Sequence, residues 1–193
     1  IFIFKLMRIF VINLEKCREK RDKITTILNN YTTNYEFFNA INGKELKTNE
    51  YSINLDWYNP CDNTHMTLGE IGCALSHYNL WKKIVDENIE NAIVLEDDIE
   101  IVDPHFLNIS ENIDPQLYDI IYLSRKKMLD INECPASNIH SNLVKPCFSY
   151  WCSAYMLSNS AAKKLLDKDY IDNIIPVDEY LPYIACSSNH YNI

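Results

Sequence analysis

The apolar positions of this chain fall into short blocks separated by charged stretches, and the spacing within each block predicts its element. Arg8 to Leu14 (RIFVINL) runs together β-branched and aromatic residues, which predicts a strand. From Glu15 to Asn30 charge is dense, and Ile24, Ile27 and Leu28 recur at helical spacing, as in an amphipathic helix lying on a sheet. Tyr35 to Ala40 (YEFFNA) predicts a second strand, closed by a turn at Ile41, Asn42 and Gly43. Residues 44–66 are polar and irregular around Trp57, Tyr58 and Pro60, which predicts an insertion near the mouth of a site.

Thr67 followed three residues later by Glu70 is a capping-box pattern, and it opens a helix through GEIGCALSHYNLWKKIVDEN. Its core face holds Ile71, Leu75, Tyr78 and Trp81, while Gly69 and Gly72 admit close approach of a backbone or a ligand to the first turn. Ala92 to Leu95 are uncharged and predict a short strand buried on both faces. Tyr118 to Leu123 predicts another strand, ending in Ser124, Arg125 and Lys126. A loop over 129–142 follows, then a strand-like run from Val144 to Leu157 and a short helix from Ser158 to Leu166. The alternation predicts one α/β domain over 1–193, with a mostly parallel sheet flanked by helices.

The densest chemistry follows the buried strand, where Glu96, Asp97 and Asp98 stand in succession at its carboxyl end, the rim at which open α/β sheets bind ligands. Adjacent carboxylates repel unless a cation neutralises them. In an extended segment Glu96 and Asp98 share a face and can converge on one hard ion, though a solvated acidic turn fits the same string. Asp178 and Glu179, inside the apolar, proline-bounded IIPVDEYLP, read either as a second functional carboxylate pair or as acids favoured at a helix start. Arg125 and Lys126 are suitable counter-charges for the acids or for a ligand phosphate, and also fit a solvated basic turn. Lys16, Arg18, Lys20 and Arg21 stand just beyond the first strand, where one or two can meet a diphosphate.

A net charge of -9 argues against nucleic acid as the main partner. The three glycines, Gly43, Gly69 and Gly72, permit neither a P-loop nor a GxGxxG fingerprint, so P-loop kinase and dinucleotide-dehydrogenase readings drop out. Seven scattered cysteines without CxxC pairs suggest reduced thiols. Lys5 and Arg8 interrupt the apolar start, so neither a signal peptide nor a transmembrane segment is expected, and a cytoplasmic location is. Met7 would make a natural start, so residues 1–6 are expected to be either upstream sequence or the edge of a fragment.

Taken in order, VINL, the basic helix, TLGEIGCALSHYNLWKKI and IVLEDD resemble glycosyltransferase family 25, the lipooligosaccharide and procollagen galactosyltransferase group. YLSRKKM, SYWCSAYMLS and IPVDEYLP resemble its collagen-type members. The resemblance runs from Arg8 to about Ile184 and implies a GT-A-like nucleotide-sugar-binding fold, a UDP-sugar donor (UDP-galactose) and manganese. By that resemblance Glu96 and Asp98 fill the metal motif, Asp98 being the more direct ligand. Asn13, Leu14, Glu70, Ser76 and His77 fall where the family meets its nucleotide or carries its signature, and Arg125 and Lys126 are grouped with them. Asp178 and Glu179 occupy the second acidic motif, where one is the general base of an inverting transfer to a collagen-like protein or a glycan. Asn42 replaces the Asp of a VDG-like turn. Relatives continue past the last motif, so the C-terminus is expected to be truncated, and His190 is not expected to replace a missing ligand. Three outcomes stay open: a collagen-type transferase, a lipooligosaccharide-type transferase, and an inactive relative that binds partners; an oligomer is possible.

Overall fold

The computed structural model describes residues 7–59, 62–103, 113–114, 116–128, 132–167 and 170–187, with side chains described as far as Ile184. Residues 1–6 and His190 lie outside them. Among the described residues five strands form one sheet: β1 (Arg8–Asn13), β2 (Glu36–Asn39), β3 (Asn91–Glu96), β4 (Ile120–Lys127) and β5 (Ser149–Ser158), in the order β2-β1-β3-β5-β4. β1 pairs in parallel with β2 and β3, and β5 runs antiparallel to both β3 and β4. Four strands therefore share one direction and β5 alone opposes it, an α/β sheet consistent with a GT-A-like fold. The acidic strand β3 thus lies beside β5, and β4 with Arg125 and Lys126 stands one strand further out.

β1 and β3 are buried on both faces because their side chains alternate between two cores. Phe10, Ile12, Ala92 and Val94 pack with α2 (Leu68–Asp86), α3 (Asn159–Leu166) and α4 (Val177–Ser187). Ile9, Val11, Ile93 and Leu95 pack with Ile24 and Leu28 of α1 (Arg18–Leu28). α2 buries Leu80, Trp81 and Ile84 completely, which contributes roughly 2 kcal/mol for each side chain.

The expected capping box is present: Thr67 accepts from the Glu70 amide, and the Glu70 carboxylate accepts from the Thr67 amide at 2.7 Å. A Cβ on Gly72 would meet the Gly43 nitrogen and the Ile41 carbonyl at 2.7 Å, so the close approach that Gly72 serves is to backbone. Gly69 has no such neighbour. The 44–66 insertion carries two 3-10 turns and bridges to Ile174 just before α4, with Asn54 N–H donating to the Ile174 carbonyl at 2.9 Å. No described helix is long and apolar enough to cross a membrane.

Candidate active site

The four co-directional strands end on one rim, and the reversed β5 begins there. A cavity of about 930 Å³ opens at this rim, bounded by Glu96 and Asp98 after β3, by Asp178 and Glu179 of α4, and by Trp57 of the insertion.

The three consecutive acids separate according to where the strand stops. Glu96 keeps the parity of Ala92 and Val94 and turns to the α2 face, meeting His77 and Cys73. Asp97 turns to the α1 face, where it accepts from Asn13 Nδ2 at 2.8 Å and Lys20 Nζ at 3.0 Å. β3 ends at Glu96, so the two-residue alternation does not carry Asp98 back beside it; Asp98 instead shares Lys20 with Asp97, at 3.0 Å. Glu96 and Asp98 line the same cavity, with Asp98 in the turn after β3 and not in the extended segment expected of it.

Glu96 is the exposed end of a buried chain of hydrogen bonds. Trp81 Nε1–H donates to the Tyr155 hydroxyl at 2.9 Å, and that hydroxyl meets His77 Nδ1 at 2.8 Å. An indole only donates, so the Tyr155 hydroxyl accepts from Trp81; it also fixes the imidazole through Nδ1, leaving His77 Nε2 facing Glu96 Oε1, 3.4 Å away. Burial disfavours the Glu96 charge, but the His77 and Cys73 hydrogen bonds outweigh it and hold the carboxyl below its ordinary range. The Cys73 thiol is pushed strongly upward by burial and by the charges of Glu96 and Asp178.

Across the cavity, Asp178 and Glu179 form the first turn of α4. Asp178 accepts from the Cys152 amide at 3.2 Å, and Tyr150 hydrogen-bonds Glu179. Burial and the charge of Glu96 push the Asp178 carboxyl upward, and burial does the same to Glu179. Between their two partners lies Trp151, with φ 71°, at a point where β5 bulges against β4. A bulky residue in the left-handed region is strained, and such strain gathers at functional sites.

The sequence matches the family described as glycosyltransferase family 25 (LPS biosynthesis protein) over residues 7–181. The chain belongs to glycosyltransferase family 25. It is 38% identical over 187 residues to a glycosyltransferase 25 family member of Drosophila melanogaster, covering 92% of this chain and 30% of that protein. It is 33% identical over 185 residues to procollagen galactosyltransferase 2 of Homo sapiens, covering 90% of this chain and 29% of that protein. With procollagen galactosyltransferase 1-A of Xenopus laevis the figures are 34% over 186 residues, 90% and 30%. The chain thus spans under a third of the length of these family 25 relatives.

The remaining candidates of this family 25 chain divide between cavity and scaffold. Asn13 is 2% exposed; its amide nitrogen is fixed by two acceptors, Asp97 and the Cys17 carbonyl, while Oδ1 is buried without a hydrogen-bond partner. The Leu14 carbonyl accepts from the Cys17 amide in the turn beyond β1. Ser76 ties the Ile41 amide to the Gly72 carbonyl, and Glu70 lines the cavity while closing its capping box. Asn42 reaches Glu45 within the first 3-10 turn. Lys126 lines the cavity. Arg125 does not: it pairs with Glu133 and Ser149 beside a separate hollow of about 140 Å³. Sequence reasoning missed Cys73, Tyr155 and Trp151. Cys73 was findable, since it precedes His77 by four residues and so shares its helix face.

Proposed function

We propose that this chain carries the catalytic core of a metal-dependent inverting glycosyltransferase that moves galactose from UDP-galactose to an acceptor hydroxyl. Hydroxylysine in a collagen-like protein is the favoured acceptor. The reading is carried by one observation: Glu96, Asp98 and Asp178 border one cavity, and the Glu96 charge pushes the Asp178 carboxyl upward. Like-charged oxygen donors gathered at a strand tip fit a hard divalent ion.

Glu96 and Asp98 would hold manganese, and the ion would offset charge developing on the departing UDP. The buried Oδ1 of Asn13 offers an acceptor to a donor group of the nucleotide. Lys126 lies within reach of a diphosphate in the same cavity. The acceptor oxygen bonds to the anomeric carbon as that carbon's bond to UDP breaks. Asp178 takes the acceptor proton, for which raised proton affinity suits a carboxylate. Glu179 holds Tyr150 beside it.

The test is calorimetric titration of UDP with and without manganese, followed by transfer assays on hydroxylysine-bearing collagen peptide and on a lactosyl glycan. Metal-dependent UDP binding is expected, with transfer to the peptide. Asp98→Asn is expected to keep the far-UV circular dichroism and lose roughly 100-fold or more of the manganese-dependent turnover of UDP-galactose. Turnover like the wild type in that variant removes the metal assignment. Preference for the glycan selects the lipooligosaccharide-type reading, and absence of UDP binding selects the non-catalytic one.

A further inference from the structure

The transferase reading leaves the strained residue of the cavity without a role. Trp151 is 53% exposed, lines the cavity, and holds a φ of 71° that a tryptophan rarely adopts. The residues on either side explain how that backbone is kept. Tyr150 is hydrogen-bonded to Glu179 and the Cys152 amide to Asp178, so the bulge is pinned on both flanks to α4 and the indole stands beside the acids. Lys126 Nζ already lies 5.7 Å from the ring centroid, so the ring faces a cation. Among the described residues, seven carboxylates and one ammonium group, that of Lys126, line the cavity, which favours a positively charged visitor.

We propose that Trp151 determines acceptor specificity by seating the aliphatic stem and ammonium group of an amine-bearing acceptor on its indole face, with the acceptor hydroxyl turned to Asp178. The assignment rests on the transferase reading above. The ring belongs to the acceptor and not to the donor sugar, because a half-exposed indole does not shield an anomeric carbon from water. The donor diphosphate draws Lys126 off the ring and so opens it.

The experiment measures KM for hydroxylysine-bearing collagen peptide and for UDP-galactose separately, in the full chain with manganese, for Trp151→Phe, Trp151→Ala and Trp151→Gly. Ala and Gly are expected to raise the acceptor KM about 10- to 30-fold, with the donor KM kept within about twofold. Phe should keep the acceptor KM within about threefold of the wild type. N-acetylating the hydroxylysine should weaken the wild type by a similar factor and cause Trp151→Ala little further loss. Glycine accommodates φ 71°, so Trp151→Gly should melt at or above the wild-type temperature. An unmoved acceptor KM in an active Trp151→Ala enzyme overturns the role of Trp151 alone. A lower Tm in Trp151→Gly, with both KM values rising together, marks a packing residue and also overturns it. A wild type that binds no UDP and transfers to no acceptor removes the transferase reading and this proposal together.

Discussion

Tyr155 shows how a buried hydroxyl sets the chemistry of a carboxylate it does not touch. Its oxygen takes the Trp81 N–H and meets His77 Nδ1, which holds the imidazole with Nε2 facing Glu96. Tyr155→Phe strands the indole N–H and imidazole Nδ1 in the core, and a cost of about 1–3 kcal/mol is expected, read as a Tm lower by several degrees. The same variant should lower kcat, because Glu96 loses its preset partner. Part of this was legible in the sequence: the capping box and His77 stand about two turns apart on one predicted helix. Tyr155 was not, because it belongs to a strand 78 residues away and only the sheet order brings the two together. Asp98 departs from the extended spacing expected of it for a local reason. Alternation holds only while the chain stays extended, and β3 stops at Glu96.

At the scale of elements, α2 is set by what it touches at its first turn. Gly72→Ala would drive a methyl group to 2.7 Å from the backbone of residues 41 and 43, and a loss of about 1–3 kcal/mol is expected in denaturant titration. Gly69→Ala, which meets no such backbone, is the internal comparison. The pairing of β4 with the following loop through Arg125 and Glu133 predicts a pH dependence of stability. The Arg125 guanidinium and the Cys147 amide hold the Glu133 carboxyl down at about 2, from an ordinary value near 4.5. A depressed carboxylate contributes stability above its unfolded pKa. That contribution is lost as pH falls from about 4.5 toward 2. Thermal melts from pH 7 to pH 2 should therefore show Glu133→Gln below the wild type at neutral pH and converging on it in acid. Most strands and helices were readable from periodicity, since each buries a face of its own. The position of β5 between β3 and β4 was not, because strand order is decided by contacts between distant segments.

Across the whole molecule, the cavity draws on β3, β5, α2, α4 and the 44–66 insertion, so a ligand that fills it should stiffen the domain as a unit. If UDP and manganese bind as proposed, a concentration roughly 100 times Kd adds about 2.7 kcal/mol, which for a domain of this size corresponds to about 5–10 °C in Tm. Glu96→Gln should lose most of that shift while melting cooperatively. The reversed strand has a further consequence. β5 is inserted between two strands that precede it in the chain, and its bulge carries Trp151 and holds both α4 acids, so the cavity is complete only when β5 lies between β3 and β4. On the transferase reading, activity regained during refolding is therefore expected no earlier than hydrogen-exchange protection of the β5 amides, which makes its onset a marker for the seating of that strand.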